Sequence, residues 1–147
     1  MQDTVTTRWQ RFSAQPRTDA AAGSMEPVRI LIVDHDMSSA VALEHLLRAA
    51  DYSATRVAHS GHSALAIAAE FHPQVVLLDL DLPDMNSYEV AQLLRERAQR
   101  QDFRLIALTS SREHAGRELA RAAGFERYLL TPVSAPDLAE LLEMPFR

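Results

Sequence analysis

VVLLDLDLPDMNSYE, residues 75–89, carries most of the information about how this 147-residue chain folds. Its first four residues, Val75–Leu78, are all apolar. The run is too short for a helix and lacks the alternation of a half-exposed strand, so it reads as a strand covered on both faces. It ends at Asp79. A mixed, proline-bearing stretch follows, and then Asn86 with Glu89 three residues on, the spacing of a helix capping box. Strand, loop and helix therefore follow one another in a single βα unit.

Working outward, the unit recurs. Further strand-like runs lie at Val28–Val33, Ala54–Ala58, Phe103–Leu108 and Arg127–Leu130, with the central one drawn as Gln74–Leu78. Between them stand apolar residues at helical spacing: Ala40, Leu43, Leu47 and Ala50; Ala64, Leu65, Ala68 and Phe71; Val90, Leu93 and Leu94; Ala115, Leu119 and Ala122; and Leu138, Leu141 and Leu142. Asp36 precedes the first helix as an N-cap, Ser134 with Asp137 reads as a second capping box, and Gly124 follows the fourth helix as a left-handed cap. The pattern is (βα)5, and right-handed crossovers make it an open, doubly wound parallel sheet.

Composition agrees. Apolar residues make up 47% and charged residues 24%, the balance of a globular domain. No apolar run approaches the ~18 residues of a membrane helix, and no secretory signal opens the chain. A net charge of −5 disfavours broad binding to nucleic acid or anionic membrane. There is no cysteine, which excludes disulfides and thiolate zinc sites and suits a cytoplasmic protein. All 15 basic residues are arginine, so no lysine chemistry is available. Residues 1–27 read as a flexible arm ahead of a domain spanning 28–147. Within the arm, Trp9 and Phe12 stand three apart beside Arg8 and Arg11, placed for one turn of a docking helix, with an unstructured tail as the plainer alternative.

In open α/β sheets the site forms where the strands end. Here the first strand ends in Asp34-His35-Asp36, the third in Asp79-Leu80-Asp81, the fourth in Thr109-Ser110 and the fifth in Thr131-Pro132. With strand order 2-1-3-4-5, Asp34 and Asp79 are neighbours. Two carboxylates that close stay ionised only beside positive charge, and an oxygen-loving dication such as Mg2+ is one answer. An Asp with Mg2+ and a hydroxyl at hand is equipped to take a phosphoryl group.

At this point the chain resembles the response-regulator receiver domain. The resemblance runs from Val28 to Met144 and rests on Ile30-Leu31-Ile32-Val33-Asp34, on Val75–Glu89 with Pro83 and Met85, on Ile106-Ala107-Leu108-Thr109-Ser110, and on Ala123-Gly124-Phe125 through Tyr128-Leu129-Leu130-Thr131-Pro132-Val133. The wording of the fifth strand is similar to that of receivers attached to hybrid histidine kinases. The resemblance implies a flavodoxin-like fold, Asp79 as phosphoacceptor, and Mg2+ held by Asp34, Asp79 and the backbone carbonyl of Asp81. It implies Thr109 and Tyr128 as switch residues. It also implies a histidine kinase or histidine phosphotransfer protein as phosphate source, with a downstream protein or a second copy as target. With nothing after the fifth helix, the expectation is a single-domain regulator or a receiver cut from a larger kinase.

Three departures stand out. The family has a second acid where His35 stands, a lysine where Thr131 stands, and commonly a glycine where Ser87 stands. A neutral His35 favours softer metals than Mg2+, whereas a cationic one neutralises Asp34 and Asp79 itself. Asp36 is a substitute acid or the helix cap. His59 and His62 flank a turn glycine, where a zinc site is a remote reading. Arg112 and Arg127 are near in sequence but do not occupy the lysine's strand-end position. The expected function is therefore a phosphorelay receiver that takes phosphate weakly on Asp79. The alternative is a pseudo-receiver that binds proteins without phosphate. The third reading is an enzyme, because Asp79-Leu80-Asp81 mimics the opening of haloacid-dehalogenase-type phosphatases. It is rejected, since that motif belongs on a leading strand and its basic partner is usually lysine.

Overall fold

The computed structural model describes residues 27–98, 103–110 and 124–143. In chain order these form β1 (Ile30–Val33), α1 (Met37–Ala49), β2 (Thr55–Ala58), α2 (Gly61–Phe71), β3 (Val75–Asp79), α3 (Ser87–Ala98), β4 (Arg104–Thr109), β5 (Arg127–Leu130) and α4 (Ala135–Glu143). The helix expected around Ala115, Leu119 and Ala122 lies outside the described residues, as do Arg112 and the arm up to Glu26 with Trp9 and Phe12.

The five strands are parallel and run in the order β2-β1-β3-β4-β5. This is the 2-1-3-4-5 order of the flavodoxin-like fold. Alternate residues of each strand feed opposite faces. Ile30, Ile32, Val75, Leu77, Ile106 and Leu108 pack with Leu43 and Leu47 of α1 and with Leu138, Leu141 and Leu142 of α4. Leu31, Val33, Val76, Leu78, Leu105 and Ala107 pack with Ala64 and Leu65 of α2 and with Val90, Ala91 and Leu94 of α3. Burial on both faces is why β1 and the interiors of β3 and β4 are apolar, with Arg104, Asp79 and Thr109 confined to strand ends.

Helix starts follow the expected chemistry in part. The Asp36 side chain accepts from the N–H groups of Ser38 and Ser39, so it is the N-cap of α1. Asn86 caps α3 through Tyr88 N–H, but Glu89 makes no return bond, so only half of that box forms. Ser134 likewise accepts from Asp137 N–H at 3.2 Å. A full box stands elsewhere, at Ser60 and Ser63 of α2. Gly124 has φ +96°, in the left-handed region, although the helix expected before it lies outside the described residues, and a Cβ there would meet Arg95 Nε at 2.8 Å. Gly61 is required by close approach instead, since a Cβ would lie 2.9 Å from Met85 Sδ and Val90 Cγ2.

The observed strands are offset from the expected ones by a residue or two, and the offset bears on the site. Asp79 and Thr109 are the last residues of β3 and β4, so their backbones belong to the sheet ladder. At the opposite end, Arg104 is 3% exposed. It donates through Nε and Nη2 to Glu126 at 2.9 and 2.7 Å, and through Nη1 to the Leu141 carbonyl at 3.1 Å. The pair ties β4 to the start of β5 and to the last turn of α4. We predict that Glu126→Ala costs about 2 kcal/mol, because it leaves a buried guanidinium short of its carboxylate. The check is urea unfolding, where the midpoint falls and the slope stays the same.

Candidate functional site

The β1–β3 register sets Val33 opposite Leu78, so the next residue of each strand, Asp34 and Asp79, emerge side by side. Both are buried, at 4% and 6% exposure. Carboxylates at that depth are tolerated only with partners. Asp79 Oδ1 accepts from Asp81 N–H at 2.8 Å. Asp79 Oδ2 receives the His35 imidazole Nδ1 at 2.5 Å, together with His35 N–H at 3.3 Å. Asp34 Oδ1 accepts from Asp36 N–H at 3.0 Å and lies 4.0 Å from His35 Nδ1. Asp34 Oδ2 accepts no hydrogen bond from any described residue.

His35 is thus the one ring facing both acids, and its side chain is 47% exposed. Its bond to Asp79, reinforced by the charges of Asp79, Asp34 and Asp36, raises its pKa above the ordinary 6.5. Burial pushes the Asp34 carboxyl up, against the pull of Asp36 N–H. The pocket therefore carries two buried acids and one imidazole.

Residues at the neighbouring strand ends lie close to this pair. Thr109 is 2% exposed at the end of β4, next to the Asp79 strand end. Thr131 N–H donates to the Thr109 carbonyl at 2.9 Å, which brings the lysine-position residue to the same end of the sheet. The following Thr131–Pro132 peptide is cis. Tyr128 is 40% exposed on the edge strand β5. Arg127 is exposed at the start of β5, four residues before Thr131, so it does not replace a lysine there. The Asp81 side chain faces solvent.

Three residues do more than the sequence discloses. Ser87, buried at 3%, donates its hydroxyl to the Asp79 carbonyl at 2.6 Å, so the hydroxyl that departs from glycine anchors the end of β3. His59 donates through Nδ1 to the Asp34 carbonyl at 2.9 Å. Asp84 accepts from Gly61 N–H, His62 N–H and His62 Nδ1, which caps α2 from another loop and holds its carboxyl down to about 2. His59 and His62 are thereby given separate partners, and among the described residues they join no third ligand. Asn and Ser caps have a local sequence signature, but a cap supplied across 23 residues of sequence separation has none. An apolar cavity of about 420 Å3 beside His72 and Phe103 lies at the other end of the sheet and shares no residue with this pocket.

The model of the response regulator receiver domain matches residues 30–143. The chain belongs to the response regulator receiver domain family. It is 29% identical to the polar-differentiation response regulator DivK of Brucella ovis over 114 residues, which is 78% of this chain and 92% of that protein. Its fold matches the chemotaxis response regulator CheY4 of Vibrio cholerae with TM-score 0.72 and 25% identity, over 80% of this chain and 97% of that one. It also matches a Saccharomyces cerevisiae co-crystal of the phosphotransfer protein Ypd1 with the receiver domain of Ssk1, with TM-score 0.71, 24% identity and coverage of 82% and 89%. No helix among the described residues is long and apolar enough to cross a membrane.

The raised pKa of His35 has a consequence for stability. Its proton is held more tightly in the folded state than in the unfolded chain. That contribution is complete below pH 6.5 and is lost as pH rises through the elevated folded value. We predict that the metal-free protein loses stability above pH 6.5 relative to His35→Ala, in which this slope is missing. Denaturant titrations of both proteins across that window decide it, and parallel curves refute it.

Proposed function

We propose that this receiver takes a phosphoryl group on Asp79 from a phosphohistidine of a histidine kinase or histidine phosphotransfer protein, slowly, and acts mainly through a standing protein-binding surface. The observation that carries the reading is the His35 imidazole seated on Asp79 Oδ2. With Asp81 N–H on the other oxygen, both oxygens of the attacking carboxylate are already engaged. Attack at phosphorus forms the Asp79 O–P bond and breaks the P–N bond of the donor, and the imidazole on Oδ2 competes with the donor for that oxygen.

The product also fits poorly. An acyl phosphate adds about −1.5 to −2 charge to a pocket that already holds Asp34. In the family a lysine pairs with that charge, whereas Thr131 offers a neutral hydroxyl, and a charge-assisted bond is roughly twice as strong. His35 supplies positive charge but sits where the second acid belongs. The same contact favours the second reading, a pseudo-receiver whose pocket no longer takes phosphate, because it leaves Asp79 satisfied without any ligand. In either case the output surface comprises Tyr128 on β5 and the adjoining exposed ends of β5 and α4, reached from the pocket through Thr109. The Ypd1 complex supports a phosphotransfer protein as the type of partner. No turnover is proposed beyond acceptance of phosphate, so the chain is read as a signalling module and not an enzyme.

The test compares wild type with His35→Asp/Thr131→Lys on exposure to acetyl phosphate and Mg2+. The wild type is expected to be phosphorylated at least about tenfold more slowly, the effect of exchanging one charge-assisted bond for a neutral one. NMR shifts around Thr109 and Tyr128 are expected to be smaller as well. Equal rates and equal shifts identify an ordinary receiver. No phosphate on wild type after the restored variant is saturated identifies the pseudo-receiver.

A further inference from the structure

Mg2+ fits this donor set badly. It demands near-octahedral oxygen coordination and binds through carboxylates, carbonyls and water. Here one of the three converging side-chain donors is an imidazole nitrogen, and it stands against Asp79 where the family has a carboxylate. We propose that Asp34, His35 and Asp79 form a site for a borderline transition-metal dication, of which Zn2+ is the representative, in preference to Mg2+. The inference concerns the same pocket as the receiver reading, but it does not require phosphate to reach Asp79.

Several observations meet here. Asp34, His35 and Asp79 each offer one ligand atom, all within 4.8 Å of one another. Two of the three are fixed by the hydrogen-bonded β1–β3 ladder, so the pair is formed by the fold itself. Asp34 is 4% exposed, yet its Oδ2 accepts no hydrogen bond from any described residue. A buried carboxylate oxygen without a donor is costly, and a cation removes that cost. The two acids offset a dication's charge. The imidazole nitrogen then decides among dications, because nitrogen donors favour zinc, nickel, cobalt and copper over magnesium.

The geometry allows it. Three protein ligands and one solvent position is the common arrangement of an open zinc site. The His35 side chain is 47% exposed, so the ring has room to turn and the fourth position faces water. Its contact with Asp79 Oδ2 must open from 2.5 Å to the roughly 3.4 Å that separates two tetrahedral zinc ligands. A small rotation about the side-chain bonds of an exposed ring supplies that change. Histidines elsewhere are less suited: His59 is bonded to the Asp34 carbonyl, and His62 faces the single acid Asp84.

The test is calorimetric titration of the full chain with ZnCl2 alone and with MgCl2 alone, for wild type, His35→Ala, His35→Asp and His62→Ala. Long-range 1H–15N spectra of the histidine rings accompany it. Wild type is expected to bind one Zn2+ with a shift at His35 Nδ1. His35→Ala weakens Zn2+ at least about 30-fold, and the Zn2+/Mg2+ affinity ratio falls about 100-fold in His35→Asp, ~2.7 kcal/mol. His62→Ala changes nothing. Undiminished Zn2+ binding by His35→Ala, or Zn2+ shifts confined to His59 and His62, overturns the proposal. Equal Mg2+ affinity in wild type and His35→Asp overturns it too. A chain that binds Zn2+ through His35 but is phosphorylated as fast as the restored variant overturns the slow-receiver reading and leaves this one intact. The converse pattern does the opposite.

Discussion

Burial of β1 and β3 on both faces is the constraint from which the rest follows. Strands wrapped by helices on either side must be apolar along their whole length, and Ile30–Val33 and Val75–Leu78 are fully inside. Polar side chains can then enter only where the strands stop. Because the two strands are adjacent and in register, their first polar residues come out together. Asp34 and Asp79 are a close acidic pair because the hydrophobic pairing beneath them leaves no other arrangement. Arg104, buried at the opposite end of the sheet, shows how the same rule is met with a different solution: a guanidinium held by the Glu126 carboxylate and by a carbonyl in the last turn of α4.

What the pocket does with its charge is a separate matter. In a typical receiver, an acid-rich cluster is balanced from outside by a metal ion and by a lysine. This chain has no lysine, and its positive charge is built into the acidic loop itself as His35. The imidazole holds Asp79 directly, and the elevated pKa of the ring follows from that bond. His35 occupies Asp79 Oδ2, and a threonine stands at position 131 where the family has a lysine. Under the proposed reading both departures act in one direction, against phosphate on Asp79.

The fold was legible because its signals are local. Apolar runs mark β1, β3 and the interior of β4, helical spacing marks all four described helices, and Asp36 sits at its cap with an ordinary signature. Strand ends were misplaced by a residue or so, since Thr109 and Asp79 are polar and a hydropathy reading stops before them although the ladder includes them. The membership of the pocket was also legible, because topology alone brings strand ends together. Its wiring was not. Whether His35 faces Asp79 or solvent depends on a side-chain torsion, and Ser87's bond to the Asp79 carbonyl depends on how the β3–α3 loop returns. Asp84 capping α2 depends on two loops meeting, and no spacing in the chain encodes that.

Ser87 shows how the departures fit together. A glycine at that place leaves the backbone of the acceptor strand bonded only by the sheet and the loop. Here a buried hydroxyl fixes the Asp79 carbonyl at 2.6 Å, Leu80 N–H is bonded to Leu108, and Asp81 N–H reaches back to the Asp79 side chain. Asp79 is held at its carbonyl, at both carboxylate oxygens and through the residue after it. A switch requires two arrangements of similar free energy. Each added bond deepens one of them, and a carboxylate tied by His35 and by Asp81 N–H while its own carbonyl is tied by Ser87 has little reason to leave it. The ties at Asp79 and the threonine at position 131 thus point the same way, and the proposed slow receiver rests on both.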